Sequence, residues 1–330
     1  MSIFKTNIQS RIAARLRGKS APILSANPGR VGDLIDTIPN FDAVEDPESW
    51  EAKTGRMFAD AEADPAFANV LEVSFLEQDV AKSYRRCADS LAPKAISDLL
   101  LLLGVKKTAP IADVGSGRGH FPNAMSLLGH SDITVMEPNS NFYTGTGYLK
   151  SLDNPGIKII NDIPEWRSVS NRFDAVTSYA TVHHWQHIPQ VMIDLRRTLK
   201  ANGYWLMCSE FIANDAKSFV KSMYSHPTAF KYNSYEWSYP ASVYVDLAES
   251  VGLKLVGVIP MHYHGNALQG QVGGEKDHGR LDAWVEANLL RAGGTVEAFW
   301  DEVDHFRRHR KGKRYYTQPQ AMIFQRHSPE

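Results

Sequence analysis

The segment Asp113-Val114-Gly115-Ser116-Gly117-Arg118-Gly119 places three glycines at alternate positions directly after a short apolar run. Glycines in such a turn permit the backbone angles of a tight bend and let a ligand approach the chain with no Cβ in the way. A helix beginning just after them would offer unpaired amides to an anionic group. The spacing is G-x-G-x-G with His120 next, so the G-x-G-x-x-G pattern of pyrophosphate turns is not met. Asp113 would repel a pyrophosphate and attract an ammonium, such as that of an amino-acid moiety. Two more acids fit the same ligand. Glu137 lies about 20 residues beyond the glycines, where a carboxylate can accept both hydroxyls of a ribose. Asp162, in Asn161-Asp162-Ile163-Pro164, can accept from an adenine amino group, with Ile163 covering the ring. Each acid alone reads as a loop residue, but three in succession, in register with a glycine turn, read as one cradle.

Those residues need strands that end where they stand. Short β-rich runs occur at Ile111 to Val114, Ile133 to Glu137, Ile157 to Ile160, Phe173 to Ser178, Tyr204 to Cys208 and Leu253 to Ile259. Helical spacing fills the gaps at Phe121 to Leu128, Asn141 to Leu152, Ile188 to Leu199 and Ala241 to Val251. Such alternation predicts an α/β fold with a doubly wound, mostly parallel sheet and helices on both faces. A further strand at Gln320 to Gln325 makes seven, and the polar, aromatic stretch 261–317 before it becomes an insertion on the substrate side. Residues 1–90 are expected to form an N-terminal helical cap, and 91–330 the ligand-binding domain.

In order along the chain, "IADVGSGRGHF", "ITVMEPN", "NDIP" and "FDAVTSYATVHHW" resemble motifs I, post-I, II and IV of class I, Rossmann-like S-adenosylmethionine (SAM)-dependent methyltransferases, over roughly Leu91 to Val258. The resemblance implies SAM as cofactor. Asp113, Gly115, Ser116, Gly117 and Gly119 would cradle its methionine end, Glu137 its ribose, and Asp162 and Ile163 its adenine, with Pro138 and, at the end of the fourth strand, Ser178 completing the cofactor-binding set. Methyl transfer from a sulfonium is an in-line displacement, so the protein must align a nucleophile and, where needed, remove its proton. His183 and His184, with Tyr179, are the catalytic candidates, since histidine titrates near neutral pH. The competing reading makes the histidine pair structural, and makes Tyr179 and Trp185 core residues rather than partners of a sulfonium.

The expected acceptor is a small molecule, enclosed by the cap and the segment from Asn214 to Tyr239. Two alternatives remain: RNA modification that uses the basic run Arg307 to Arg314 as a backbone clamp, and a SAM-binding regulatory or assembly protein. Lys plus Arg (36) nearly balance Asp plus Glu (37), so the net charge does not favour a nucleic-acid partner. No metal site is expected: His262-Tyr263-His264 has H-x-H spacing without an assignable third ligand. Cys87 and Cys208 suit a reducing compartment, and no apolar run is long enough to span a membrane, so a cytoplasmic location is expected. A basic amphipathic segment holding Phe4, Ile8, Ile12 and Leu16 reads as a surface helix, with organelle targeting as its alternative.

Overall fold

The computed structural model describes residues 47–226, 229, 232, 236–260, 293–310 and 315–327. Four helices come first: α1 (Pro47–Ala63), α2 (Pro65–Val73), α3 (Val80–Asp89) and α4 (Leu91–Leu102). Their boundaries follow from local chemistry. Asp64 accepts the Ala66 N–H ahead of Pro65, and Asp79 accepts the Lys82 N–H, so each caps the helix after it.

The strands β1 (Ile111–Val114), β2 (Ile133–Met136), β3 (Ile157–Ile160), β4 (Phe173–Tyr179), β5 (Leu199–Cys208), β6 (Leu253–Ile259) and β7 (Ala321–Arg326) form one sheet in the order β3-β2-β1-β4-β5-β7-β6. β7 runs antiparallel to both its neighbours, and the other pairings are parallel. The chain moves outward from β1 to β3 and then returns to β4 on the other side of β1. Strand order therefore reverses between β1 and β4, where ligands bind beyond the carboxyl ends of such sheets. Asp113 on β1 lies in register with Val135 and Thr177 at that point.

Helices α5 (His120–Leu127), α6 (Gly147–Ser151), α7 (Ile163–Ser168), α8 (Ile188–Thr198), α9 (Ala216–Ser225), α10 (Ala241–Ser250) and α11 (Gly293–His309) accompany the strands. On one side of the sheet Val176, Trp205 and Phe324 pack with Met192, Leu195, Tyr244 and Phe299; on the other, Ile111, Leu206 and Ile323 pack with Leu99, Leu100, Phe121 and Met125. The strands are short and apolar on both faces, as burial between helix layers requires.

Several elements depart from expectation, with α9 and α11 among the helices not foreseen. The helix expected over Asn141 to Leu152 is confined to α6, because the Asn141 side chain accepts the N–H groups of Tyr143 and Thr144 and so holds that stretch as turns. β5 begins at Leu199, immediately after α8, rather than at Tyr204. α7 was not expected; Asp162 caps it by accepting the Glu165 N–H. Within the stretch 261–317, α11 buries Phe299 and Val303 against β6, while His262, Tyr263, His264 and His278 lie outside the described residues, as do the N-terminal amphipathic segment and Lys311 to Arg314. No helix among the described residues is long and apolar enough to cross a membrane.

Candidate active site

β1 ends directly in the glycine turn. Gly115 has φ +75°, and a Cβ there would overlap the Thr181 side chain, so this position tolerates only glycine. Gly117 has φ +52°, and a Cβ there would meet no protein atom within 4 Å. The turn thus presses against the chain after β4 on one side and presents bare backbone on the other. Its foundation is Asp113, 3% exposed, whose two carboxylate oxygens accept the hydroxyls of Ser116 (2.6 Å) and Thr177 (2.7 Å). Burial pushes the Asp113 carboxyl up to about 6 against the opposing pull of those two hydrogen bonds. Asp113 and Ser116 therefore brace the turn from beneath.

Glu137, just past β2, spans the cradle. Its Oε2 accepts the Gly117 N–H at 2.8 Å and its Oε1 the Asn139 N–H at 3.0 Å. Burial raises its carboxyl to about 7; these two N–H groups oppose the rise and the charge of Asp113 adds to it. Asn161, after β3, donates to the Glu137 carbonyl, which ties the second and third strand ends together. Pro138 and Asp162 are exposed, and Ile163 shows 42% of its surface beside them. Ser178 is fully buried, and its hydroxyl accepts the Trp205 indole N–H at 2.7 Å, so its side chain serves the core.

The histidine pair occupies a single 3₁₀ turn, Val182–His184, after β4. Glu210, just past β5, accepts the N–H of Val182 at 2.7 Å, those of Thr181 and His183 at longer range, and a hydrogen bond from the His183 ring Nδ1. The other ring nitrogen, Nε2, lies 3.4 Å from Oε2 of Glu236, which is itself 5% exposed. Burial alone would lower His183; Glu210 first and then Glu236 outweigh it and hold the imidazole above its ordinary value, while His183 holds Glu210 below its own despite burial. His184 is the exposed member, its ring 4.1 Å from that of His183. Trp185 packs on Trp205, and Tyr179 stacks on Phe121 of α5 with centroids 5.3 Å apart, so both rings are committed to packing.

Arg118, in the middle of the glycine turn, is 1% exposed and turns inward. Its guanidinium donates to the carbonyls of Phe75 (3.0 Å), Glu77 (2.9 Å) and Tyr143, and the Tyr84 hydroxyl donates to its carbonyl. The turn is thereby bolted to the segment between α2 and α3. Further out, Tyr232 donates to Asp60 at 2.5 Å and stacks on Phe67, so the cap meets the segment that follows α9.

Asp113, Gly115, Ser116, Gly117, Gly119 and Glu137 thus converge at one end of the sheet, and His183 with His184 joins them through the contact between Thr181 and Gly115. Sequence reasoning passed over Glu210, Glu236 and Arg118. A carboxylate two residues past the end of a strand was a findable signal for Glu210, of the kind that singled out Glu137. Glu236 offered none, because only the fold brings it to the turn.

A family model described as a methyltransferase domain matches residues 84–257. No curated protein sequence matches the chain. Among solved structures, the chain is similar to Burkholderia thailandensis 1,6-didemethyltoxoflavin-N1-methyltransferase with bound 1,6-didemethyltoxoflavin and S-adenosylhomocysteine (13% identity, 88% of this chain and 94% of that one, TM-score 0.43). It is similar to Haemonchus contortus phosphoethanolamine N-methyltransferase 2 in complex with SAM (13% identity, 72% and 52%, TM-score 0.43). It also resembles the YcgJ protein of Bacillus subtilis (14% identity, 70% and 99%, TM-score 0.41). The family match spans more than half of the 330 residues and contains the glycine turn, the three strand-end acids and the histidine turn, and the chain belongs to the methyltransferase-domain family, as a SAM-dependent enzyme of class I.

Proposed function

We propose that this enzyme methylates a small molecule bound between the histidine turn and residues 214–226 and 236–239, with the helical cap closing over it. One observation carries the reading. Thr181 abuts Gly115, so the His183, His184, Glu210 and Glu236 group stands next to the glycine turn instead of on a remote surface.

The residues present fit SAM. Bare backbone at Gly117 leaves room for the methionine end, and Glu137 offers an oxygen pair that suits two ribose hydroxyls. Ile163 exposes an apolar face beside Asp162 that suits an adenine ring, and Pro138 is exposed next to Glu137. Gly115, Gly119, Asp113 and Ser116 hold the turn in shape. When bound, the cofactor supplies a methyl group on a positively charged sulfur.

The chain then contributes alignment and acidification of the acceptor. Positioning a nucleophile in line supplies a large part of such a barrier, roughly 7–11 kcal/mol in well-oriented systems. Glu210 immobilises the His183 ring and directs Nε2 toward Glu236, so the acceptor's reacting atom meets a polar cluster fixed at both ends. Tyr179 and Ser178 act by packing beneath it. Closure by α1 and α2 through Tyr232 excludes water and favours an acceptor small enough to be enclosed.

The test is a screen of metabolite extracts with methyl-labelled SAM, followed by mass spectrometry of labelled products. A labelled small molecule that depends on enzyme and disappears in Glu210→Ala supports the reading. Label found only in added RNA or protein refutes it.

A further inference from the structure

We infer that His183 Nε2, His184 Nδ1 and the Glu236 carboxylate form a site for one divalent transition-metal ion of the zinc class. Glu236 Oε2 lies 3.4 Å from His183 Nε2 and 4.0 Å from His184 Nδ1, and the three donor atoms all fall within 4.8 Å of one another. Zinc bonds of about 2.0–2.1 Å in a tetrahedral shell set donor atoms about 3.3–3.4 Å apart. One pair already has that spacing. Of the other two, the His184–Glu236 pair must close by about 0.7 Å and the His183–His184 pair by at most about 1.5 Å, and the movement falls to His184, whose side chain is 44% exposed.

The supports around the cluster match those of a metal site. Glu210 takes the Nδ1 hydrogen of His183, so an ion that displaces the Nε2 proton meets a lone pair already aimed at it, the carboxylate–histidine–metal arrangement that fixes a ligand's tautomer. The Trp237 N–H donates to the His183 carbonyl at 2.8 Å, so the residue next to Glu236 is tied to the turn that carries both histidines. Glu210 also gathers the backbone N–H groups of that turn and fixes its orientation. His226 Nε2 comes within 3.7 Å of Glu236 Oε2, but its Nδ1 accepts the Ala229 N–H. The proton is then on Nε2, which makes His226 a support for the carboxylate and not a ligand.

Charge points the same way. Glu210 and Glu236, both buried, face one another across His183, and a cation between histidine and carboxylate donors neutralises what burial alone would penalise. Two imidazoles with one carboxylate favour zinc, iron, cobalt or nickel over magnesium or calcium. Three protein ligands leave a coordination position, as catalytic sites do and closed structural sites do not. Because it rests on the methyl-transfer reading above, the site has a defined task. An acceptor hydroxyl or thiol at the open position is acidified by the ion and gives its proton to solvent before the cap closes. Its oxygen or sulfur then bonds the methyl carbon as the S–CH3 bond of the sulfonium breaks, with the electron pair left on that sulfur.

The sequence alone suggests no metal here, since Glu236 lies far along the chain from the histidine pair.

The experiment titrates zinc chloride, and separately cobalt(II), into tag-free full-length protein stripped with chelator. It is followed by calorimetry and by the visible cobalt absorption of a tetrahedral site. Wild type should bind one ion with micromolar or tighter affinity, and His184→Ala and Glu236→Gln should each weaken it about a hundredfold. Glu210→Gln, outside the coordination shell, should weaken it about 10–100-fold. All three variants should keep their affinity for S-adenosylhomocysteine within a few-fold, which also shows that they are folded. Wild type that binds no zinc at about 100 µM, or binding that both His184→Ala and Glu236→Gln retain, overturns the inference. Failure of wild type to bind S-adenosylhomocysteine would instead overturn the cofactor reading, and the zinc titration would still decide the metal site.

Discussion

Glu210 holds His183 from two directions, accepting its backbone N–H at 3.2 Å and the hydrogen of its ring Nδ1. β4 and β5 are paired neighbours, with Tyr179 opposite Cys208, so the carboxylate that leaves one strand clamps the turn that leaves the other. Removing one partner of a buried ion pair strands the other and costs about 3–5 kcal/mol. Glu210→Ala is therefore expected to lose about that much stability in denaturant unfolding. Glu210→Gln, which keeps the volume and one acceptor oxygen, should lose less stability but at least about tenfold in kcat.

Glu137 makes cofactor binding depend on pH. Its carboxyl titrates at about 7 in the folded protein against an ordinary 4.5. Between those values the folded state holds more protons than the unfolded, so ligand-free stability falls as pH rises from about 4.5 to about 7. Asp113, raised from 3.8 to about 6, adds to the lower part of that window. SAM affinity should move the opposite way and rise as pH increases through 7, because the charged carboxylate is the better acceptor for ribose hydroxyls. Glu137→Gln should stabilise the ligand-free protein at pH 8 by about 1–2 kcal/mol, flatten the pH profile of affinity, and weaken binding about tenfold. Thermal unfolding and calorimetry across pH 5.5–8.5 read both effects.

Gly115 and Thr181 should be energetically coupled. Gly115→Ala puts a methyl into the Thr181 side chain at φ +75°, where non-glycine residues are already strained. A cost of about 2–4 kcal/mol is expected. Thr181→Ala in the same chain removes the side-chain part of the clash, and a double-mutant cycle should return a coupling of about 1 kcal/mol or more.

Arg118 ties the glycine turn to the cap. Arg118→Met leaves the carbonyls of Phe75, Glu77 and Tyr143 without their donor. Loss of about 2–4 kcal/mol is expected, with faster proteolysis around residues 64–79 and weaker cofactor binding. A variant that loses stability but keeps both cap protection and cofactor affinity would show that the bolt does not join the two.

Where the glycine turn and the strand-end acids stand could be read from the chain because these features are local. A glycine turn follows its strand directly, and Asp113, Glu137 and Asp162 each stand at the end of a short β-rich run, so strand spacing alone orders them. The helix over Asn141 to Leu152 was misjudged because composition does not reveal that the Asn141 side chain will capture neighbouring N–H groups. Arg118 was overlooked for the opposite reason: a guanidinium among glycines looks solvated until the cap is folded over it. The environment of His183 depends on Glu210 and Glu236, which reach it only through the pairing of β4 with β5 and the return of the chain after α9. Such long-range contacts leave no periodicity to detect.

The account stands on the glycine turn and Glu137 forming one cofactor cradle. Calorimetry of the wild-type chain with S-adenosylhomocysteine at pH 8, beside Glu137→Ala, tests this directly. One site of micromolar affinity that Glu137→Ala weakens by about a hundredfold is the predicted result. A folded wild-type protein that binds neither S-adenosylhomocysteine nor SAM, or a Glu137→Ala variant that binds as tightly as wild type, would contradict it.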